Sequence, residues 1–101
     1  MQFKSETSGT TTVLHITGRM THSDYKEFDA IRHLIDDTKP SRIVFDLAHV
    51  DFMDSSALGM LLIVRDNAIK TNRTVVLRHA HGAVAKLVQI GKLHNYFEVE
   101  A

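Results

Sequence analysis

Stretches with an apolar period of two alternate along this chain with stretches of helical period. Phe3–Glu6 reads as a short strand, Ser8-Gly9-Thr10 as a turn, and Thr11–Thr17 as a second strand. In that second strand Leu14 and Ile16 fall on one face, Val13 and His15 on the other. Two such strands joined by a glycine-containing turn predict a hairpin. Gly18 interrupts the pattern. Thr21-His22-Ser23-Asp24 then carries the spacing of a capping box, in which a hydroxyl and an acid three residues on bind each other's backbone N–H. A helix is expected from about Ser23 to Asp37, with Phe28, Ile31 and Ile35 on one face, Leu34 beside them and charges opposite. Lys39-Pro40-Ser41 closes it, because proline lacks the N–H a helix needs.

The second half repeats the alternation. Arg42–Ala48 is apolar on both faces (Ile43, Val44, Phe45, Leu47), as expected of a central strand covered on two sides. Asp46 interrupts that run as a strand-end acid facing solvent or a loop N–H. A helix is expected from about Ser55 to Thr71, apolar almost all round its first two turns (Leu58, Met60, Leu61, Leu62, Ile63, Val64). Most of that surface belongs in a core. Met60 is the residue expected at a partner surface, since methionine adapts to different packing partners. Thr71-Asn72-Arg73 is a turn and Thr74–His79 a fourth strand. Gly82 precedes a third helix, about Ala83 to Leu93, with Val84, Leu87, Val88 and Gly91 on one face. Tyr96–Val99 is a short last strand. Strands separated by single helices pair in parallel through crossovers, and the opening hairpin adds an antiparallel pair. The expected architecture is α/β: a mixed sheet of four to five strands flanked by three to four helices. It forms one domain over residues 1–101, without linker or repeat.

Composition narrows the chemistry. Among 101 residues, 12 basic side chains balance 12 acidic ones. A neutral chain with no basic block does not suit nucleic acid or an anionic lipid surface; it suits specific protein contacts. There is no cysteine, hence no disulfide, thiol catalysis or cysteine-based zinc site. The opening Met1-Gln2-Phe3-Lys4-Ser5 lacks the apolar core of a signal peptide. The longest apolar run, Ala57–Val64 with Gly59 allowed, is too short to span a bilayer. A cytoplasmic location fits these features. No glycine-rich phosphate loop of the P-loop or dinucleotide type is present. Seven histidines raise a metal hypothesis, and His79-x-His81 would put two imidazoles on one strand face. No third ligand or His-Glu-x-x-His string completes that pair, so the histidines are read as structural or solvated. His22, His33, His49 and His94 are scattered singly and receive no role.

The chain is organised around Val50-Asp51-Phe52-Met53-Asp54-Ser55-Ser56-Ala57-Leu58-Gly59-Met60-Leu61-Leu62. Asp51 is placed to cap the turn that follows it. Asp and Ser are good helix N-caps, because their oxygens accept bonds from the first free backbone N–H groups. Ser56 is therefore expected at or within the first turn of a helix, near the surface. Read locally, this is an ordinary capped helix. No Gly-x-Ser-x-Gly elbow surrounds Ser56 and no histidine is aimed at it, so it is not read as a nucleophile. What remains is a serine that receives chemistry. A phosphate there would add about two negative charges and meet the free N–H groups at the positive end of the helix dipole. Asp54 would oppose it by like-charge repulsion.

Phe45-Asp46-Leu47 followed by Val50–Gly59 resembles the signature of STAS domains, the anti-sigma factor antagonist family. That signature is an acid and one or two hydroxyl residues followed by Gly, an aliphatic residue and Gly. The element order extends the likeness over nearly the whole chain and implies the STAS fold. The residues themselves offer no catalytic residue, cofactor site or metal site; the resemblance implies a protein which binds an anti-sigma factor, often a serine/threonine kinase with a histidine-kinase-like ATP fold. It implies phosphorylation of Ser56 by that kinase and reversal by a PP2C-like phosphatase. Asp54 and Ser55 align with the acid and hydroxyl before it, and Met53, Ala57, Leu58 and Met60 with the docking face. Such relays also control motility, biofilm or stress through targets other than sigma factors. Two departures stand out. Ala57 replaces the first glycine, where its methyl group is expected to narrow the choice of partner or slow phosphoryl transfer. Gly18-Arg19-Met20-Thr21 lacks the acid that family members often carry after that glycine. The resemblance also allows a constitutive subunit of a transporter-associated complex, in which Ser56 is only a helix cap.

Overall fold

The computed structural model describes Met1–Ala101. Strands β1 (Gln2–Ser8) and β2 (Thr11–Met20) form the expected hairpin. Helix α1 (Tyr25–Thr38), strand β3 (Arg42–Met53), helix α2 (Ser55–Lys70), strand β4 (Thr74–Arg78), helix α3 (Gly82–Ile90) and strand β5 (Glu98–Glu100) follow. Short 3-10 turns precede α1 (His22–Asp24) and β5 (Leu93–Asn95). The five strands lie side by side in chain order, β1 antiparallel to β2 and the rest parallel. This is the mixed α/β sheet expected from the alternation of patterns, with three α-helices.

Each helix buries the stripe its periodicity predicts. α1 buries Phe28, Ile31 and Ile35; α2 buries Ala57, Leu61, Val64 and Ala68; α3 buries Val84 and Val88. These side chains join Leu14, Ile16, Ile43, Phe45, Leu47, Val75 and Leu77 in one cluster. Each large aliphatic side chain fully buried there contributes about 1.5–3 kcal/mol. No helix in the chain is long and apolar enough to cross a membrane.

All three helices therefore cover one face of the sheet, which corrects the expectation that β3 is covered on both sides. Val44 and Val76 are fully buried yet stand outside the helix-facing cluster. The register explains how. On the other face Glu6, Val13, Val44, Val76 and Glu98 form one row across the five strands. Lys4, His15, Asp46, Arg78 and Glu100 form the next. Charged side chains ion-pair around the valines, Arg42 with Glu98 and Glu100, and Arg78 with Glu100.

Several boundaries move for nonlocal reasons. β2 continues through Gly18, whose φ of 94° is open to glycine alone at no steric cost, and reaches Met20. β3 runs on to Met53 instead of ending at Ala48, with irregular register between His15 and Thr17 and again between Gly18 and Arg19. There β3 supplies an extra residue, Asp51, between the partners of Gly18 and Arg19. Such a bulge changes which face a side chain takes. It lets Val50 and Met53 both reach the core while Phe52 turns away. α1 starts at Tyr25 because Thr21–Asp24 closes a 3-10 turn first. α3 ends at Ile90, and Lys92 turns the chain with φ 52° so that Leu93 enters the core from the next turn.

Candidate functional site

β2 and β3 end side by side, Met20 opposite Met53, and each feeds the start of a helix. After β3 the chain reverses at Asp54. Its N–H donates to the Met20 carbonyl at 3.1 Å, and its own carbonyl accepts from Leu58 N–H at 3.1 Å. The carboxylate is the N-cap of α2: Oδ1 accepts from Ala57 N–H at 2.8 Å and Oδ2 from His22 N–H at 3.1 Å. The His22 Nδ1 lies 3.6 Å from the same oxygen. The Ala57 N–H, against some desolvation and with help from His22, holds the Asp54 carboxyl below its ordinary value. Asp51 is an exposed strand residue, so the expected cap falls three residues later, where the chain has left the sheet.

Ser55 and Ser56 occupy the first two helical positions and both are exposed. Neither hydroxyl bonds another protein group. With Asp54 N–H paired to Met20 and Ala57 N–H to the cap, the N–H groups of Ser55 and Ser56 are the open donors of this turn. The cap is Asp54; the Ser56 hydroxyl caps nothing, which corrects the reading of that serine as a helix cap. The local chemistry is an accessible, unpaired hydroxyl in the same turn as two free N–H donors. A phosphate added there gains charge-assisted bonds and stands against the Asp54 carboxylate.

The remaining expected docking residues divide. Leu58 and Met60 are half-buried and reach the surface. Met53 and Ala57 are buried in the core cluster, Ala57 completely. They support the loop from beneath and offer nothing to a partner. The Ala57 methyl group expected to narrow partner choice points inward, away from any docking protein. Gly59 has open space where a Cβ would stand. Glycine inside a helix costs about 1 kcal/mol relative to alanine, and no packing need explains it here. It keeps the surface one turn below Ser55 low. On the far side of Met60, a groove of about 180 Å³ runs between α1 and α2, lined by Tyr25, Phe28, Asp29, Arg32, Met60 and Ile63.

The histidines form contacts that spacing did not reveal. β4 ends at Arg78, and His79 turns away with φ 62°. His15 Nδ1 lies 2.9 Å from one Asp46 oxygen and His79 Nδ1 3.2 Å from the other. His81 Nε2 approaches the Ala48 carbonyl at 2.8 Å. His79 and His81 thus diverge, and no group of three His, Asp or Glu side chains is placed to hold a metal ion. Burial works against the Asp46 charge, but the Ala48 N–H and the two imidazoles hold its carboxyl below the ordinary value. Asp46 is not the strand-end acid expected to meet solvent or a loop N–H: it lies within β3, which runs on to Met53, and accepts the N–H of Ala48 on its own strand at 3.1 Å. The two histidines reach it only because three strands lie in register. The role of His22 was likewise missed, and the signal lay in the capping box that fixes its backbone.

Comparison with known proteins adds to this geometry. The sequence profile of the family described as "Mlab, STAS domain" matches residues 3–99. A STAS-domain containing protein of Pseudomonas aeruginosa (strain UCBPP-PA14) is 33% identical over 87 residues, which cover 85% of this chain and 84% of that protein. Among solved structures, the Bacillus cell fate determinant SpoIIAA in its phosphorylated form is similar with a TM-score of 0.75 at 20% identity, over 99% of this chain and 92% of the other. A sulfate transporter family protein from Wolinella succinogenes is similar with a TM-score of 0.74 at 14% identity, over 90% of this chain and 76% of that one. At these identities the two structures share the fold with this chain.

Proposed function

The chain belongs to the STAS domain family, and on that premise we propose that it is a phosphorylation-gated partner-switching protein with Ser56 as its switch. In this reading the domain spans residues 1–101 and has no catalytic role of its own. Its unphosphorylated form binds an anti-sigma factor, a serine/threonine kinase with a histidine-kinase-like ATP fold. The kinase phosphorylates Ser56 and the complex separates; a PP2C-like phosphatase restores binding. The relay operates in the cytoplasm, where the kinase meets ATP, and its output is transcription, or motility, biofilm or stress control through another target.

The observation that carries this reading is the exposed, unpaired Ser56 hydroxyl at the second position of a helix whose N-cap is already supplied by Asp54. A phosphate at that position leaves the fold standing, since the cap does not depend on the serine. Its two charges fall instead on whatever surface docks across Asp54, Ser55, Leu58 and Met60, and an acidic or apolar surface is expelled. Met53 and Ala57 hold the docking turn in place from the core side.

A constitutive subunit of a transporter-associated complex is the second reading, suggested by a likeness of fold to the sulfate transporter family protein with a TM-score of 0.74 over 90% of this chain. Intact-mass measurement of the protein from its native cells, with the phosphate mapped by fragmentation, separates the two. Phosphate on Ser56 that disappears without the kinase supports the switch. Its absence whether the pathway is on or off sinks the switch and favours the subunit.

A further inference from the structure

Five of the six arginines in the chain are engaged by hydrogen bonds within it. Arg32 meets Asp29, Arg42 meets Glu98 and Glu100, Arg65 meets Asp66 and the Tyr96 carbonyl, Arg73 meets the Thr71 hydroxyl, and Arg78 meets Glu100. Arg19 alone has no carboxylate, carbonyl or hydroxyl partner. It is nevertheless held: its guanidinium carbon stands 4.5 Å from the centroid of the Phe52 ring. Both residues are exposed. A guanidinium held over a ring by cation–π attraction, with no acceptor in the chain bonded to it, has its five N–H donors free.

The backbone is built to make this pair. Gly18 turns β2 through a positive φ just before Arg19. The extra residue of β3, Asp51, rotates Phe52 out of the core and brings it opposite Arg19 in the ladder. Asp51 itself makes no ion pair with Arg19. The next residue along β2, Met20, accepts the Asp54 N–H that opens the Ser56 turn. Arg19 therefore sits at the Ser56 end of the sheet, on the helix-free side, one residue from the backbone bond that anchors the switch.

Building on the partner-switching reading, we propose that Arg19, presented on Phe52, is a receptor for a carboxylate of the docking protein, an Asp or Glu that it binds edge-on through two parallel N–H bonds. The chemistry matches the ligand: a carboxylate accepts two parallel N–H bonds from a guanidinium fork that no acceptor of this chain occupies. Pinning the side chain before binding lowers the entropy lost on docking. The docking surface then wraps from the Ser56 turn round the end of the sheet. Arg19 selects the partner by its acid, while Ser56 decides whether binding occurs.

The test uses the ATP-fold kinase that Ser56→Ala retains, with affinities measured by calorimetry for the wild type, Arg19→Gln, Arg19→Glu and Phe52→Leu. Arg19→Gln is expected to weaken binding about tenfold and Arg19→Glu at least about a hundredfold, because the latter sets two carboxylates against each other. Phe52→Leu, which keeps the charge and removes its platform, should weaken binding several-fold. Replacing one acid of the kinase surface by Arg should restore Arg19→Glu and impair the wild type. Unchanged melting temperatures establish that the variants fold. Binding by Arg19→Glu within about twofold of wild type overturns the receptor and leaves the switch intact. So does a defect confined to release of the Ser56-phosphorylated form, which would assign Arg19 to the phosphate instead. Failure of Ser56→Ala to bind any such kinase overturns the switch itself and this proposal with it.

Discussion

α1 and α2 start from the same end of the sheet, each beside an acid that accepts backbone N–H groups, yet they leave different surfaces; Asp54 caps α2 itself, whereas Asp24 reaches back to Thr21 and bonds no N–H of α1. At the start of α1, Asp24 is buried and accepts from Thr21 N–H at 2.7 Å and the Met1 amine at 2.6 Å, with the Thr21 hydroxyl 3.4 Å away. Its groups are all answered from within. At the start of α2, Asp54 answers Ala57 and His22, while two serine hydroxyls and two N–H groups face outward. The two starts are joined, since the His22 N–H donates to Asp54. A fully paired acid closes its surface; a cap beside a free hydroxyl leaves donors accessible.

The sharpest way to break the comparison is to put the charge there. Ser56→Glu should weaken binding of the ATP-fold partner at least about a hundredfold, as like charges or a desolvated carboxylate do at an interface, while Ser56→Ala keeps binding in the presence of kinase and ATP. Equal affinity of the two variants would remove the distinction between the two helix starts. Removing the two acids comes next. Asp24→Ala should cost about 2 kcal/mol in urea unfolding, because it leaves the buried Met1 amine and the Thr21 N–H without their acceptor. Asp54→Ala should lower the melting temperature less, since water replaces its bonds, and should impair partner binding, which Asp24→Ala need not. A larger stability loss from Asp54→Ala would reverse the assignment of closed and open ends.

Gly59→Ala probes the open end from the side. It should stabilise α2 by about 0.5–1 kcal/mol in thermal unfolding, since no packed atom opposes the methyl group, and it should weaken partner binding. Stabilisation with unchanged affinity would show that the low surface is not used.

Acid separates the two carboxylates by the smallest margin. Both are held below their ordinary value in the folded protein: at Asp24 burial is the largest single effect and pushes upward, but the Met1 amine and Thr21 together outweigh it; at Asp54 the Ala57 N–H comes first. A depressed folded pKa means that the folded state releases its proton more readily than the unfolded chain. The stabilisation is therefore complete above the unfolded pKa, roughly 4, and is lost as pH falls below it through the folded value. Stability measured from pH 6 down to pH 2 should decline less steeply in Asp24→Asn than in the wild type. Asp54→Asn should change that slope less, because its charge is screened by solvent. Identical slopes for both variants would mean that burial does not distinguish the two sites.

Much of this was legible in the residues. Alternating, continuous apolar and helical patterns located the strands and the three helices, because burial dictates local spacing whatever the partner. The Asp54-Ser55-Ser56 turn was recognisable by its cap chemistry and family signature. Less legible was which side chains of that turn point outward. Met53, Ala57, Leu58 and Met60 read alike as small or apolar residues near a serine, and only their burial divides them.

The sequence by itself thus determined the elements, their order and the chemistry available at Ser56, since all three follow from neighbours a few positions apart. The tertiary structure alone decided the rest. Helices gathered on one face of the sheet leave the other to a lattice of charges around Val44 and Val76. Two irregularities between β2 and β3 keep Val50 and Met53 in the core, turn Phe52 outward and place Arg19 over it. Three strands in register bring His15 and His79 to Asp46. Each depends on residues about 30 positions apart meeting across hydrogen-bonded strands, where one extra residue exchanges faces, and no local period encodes that register.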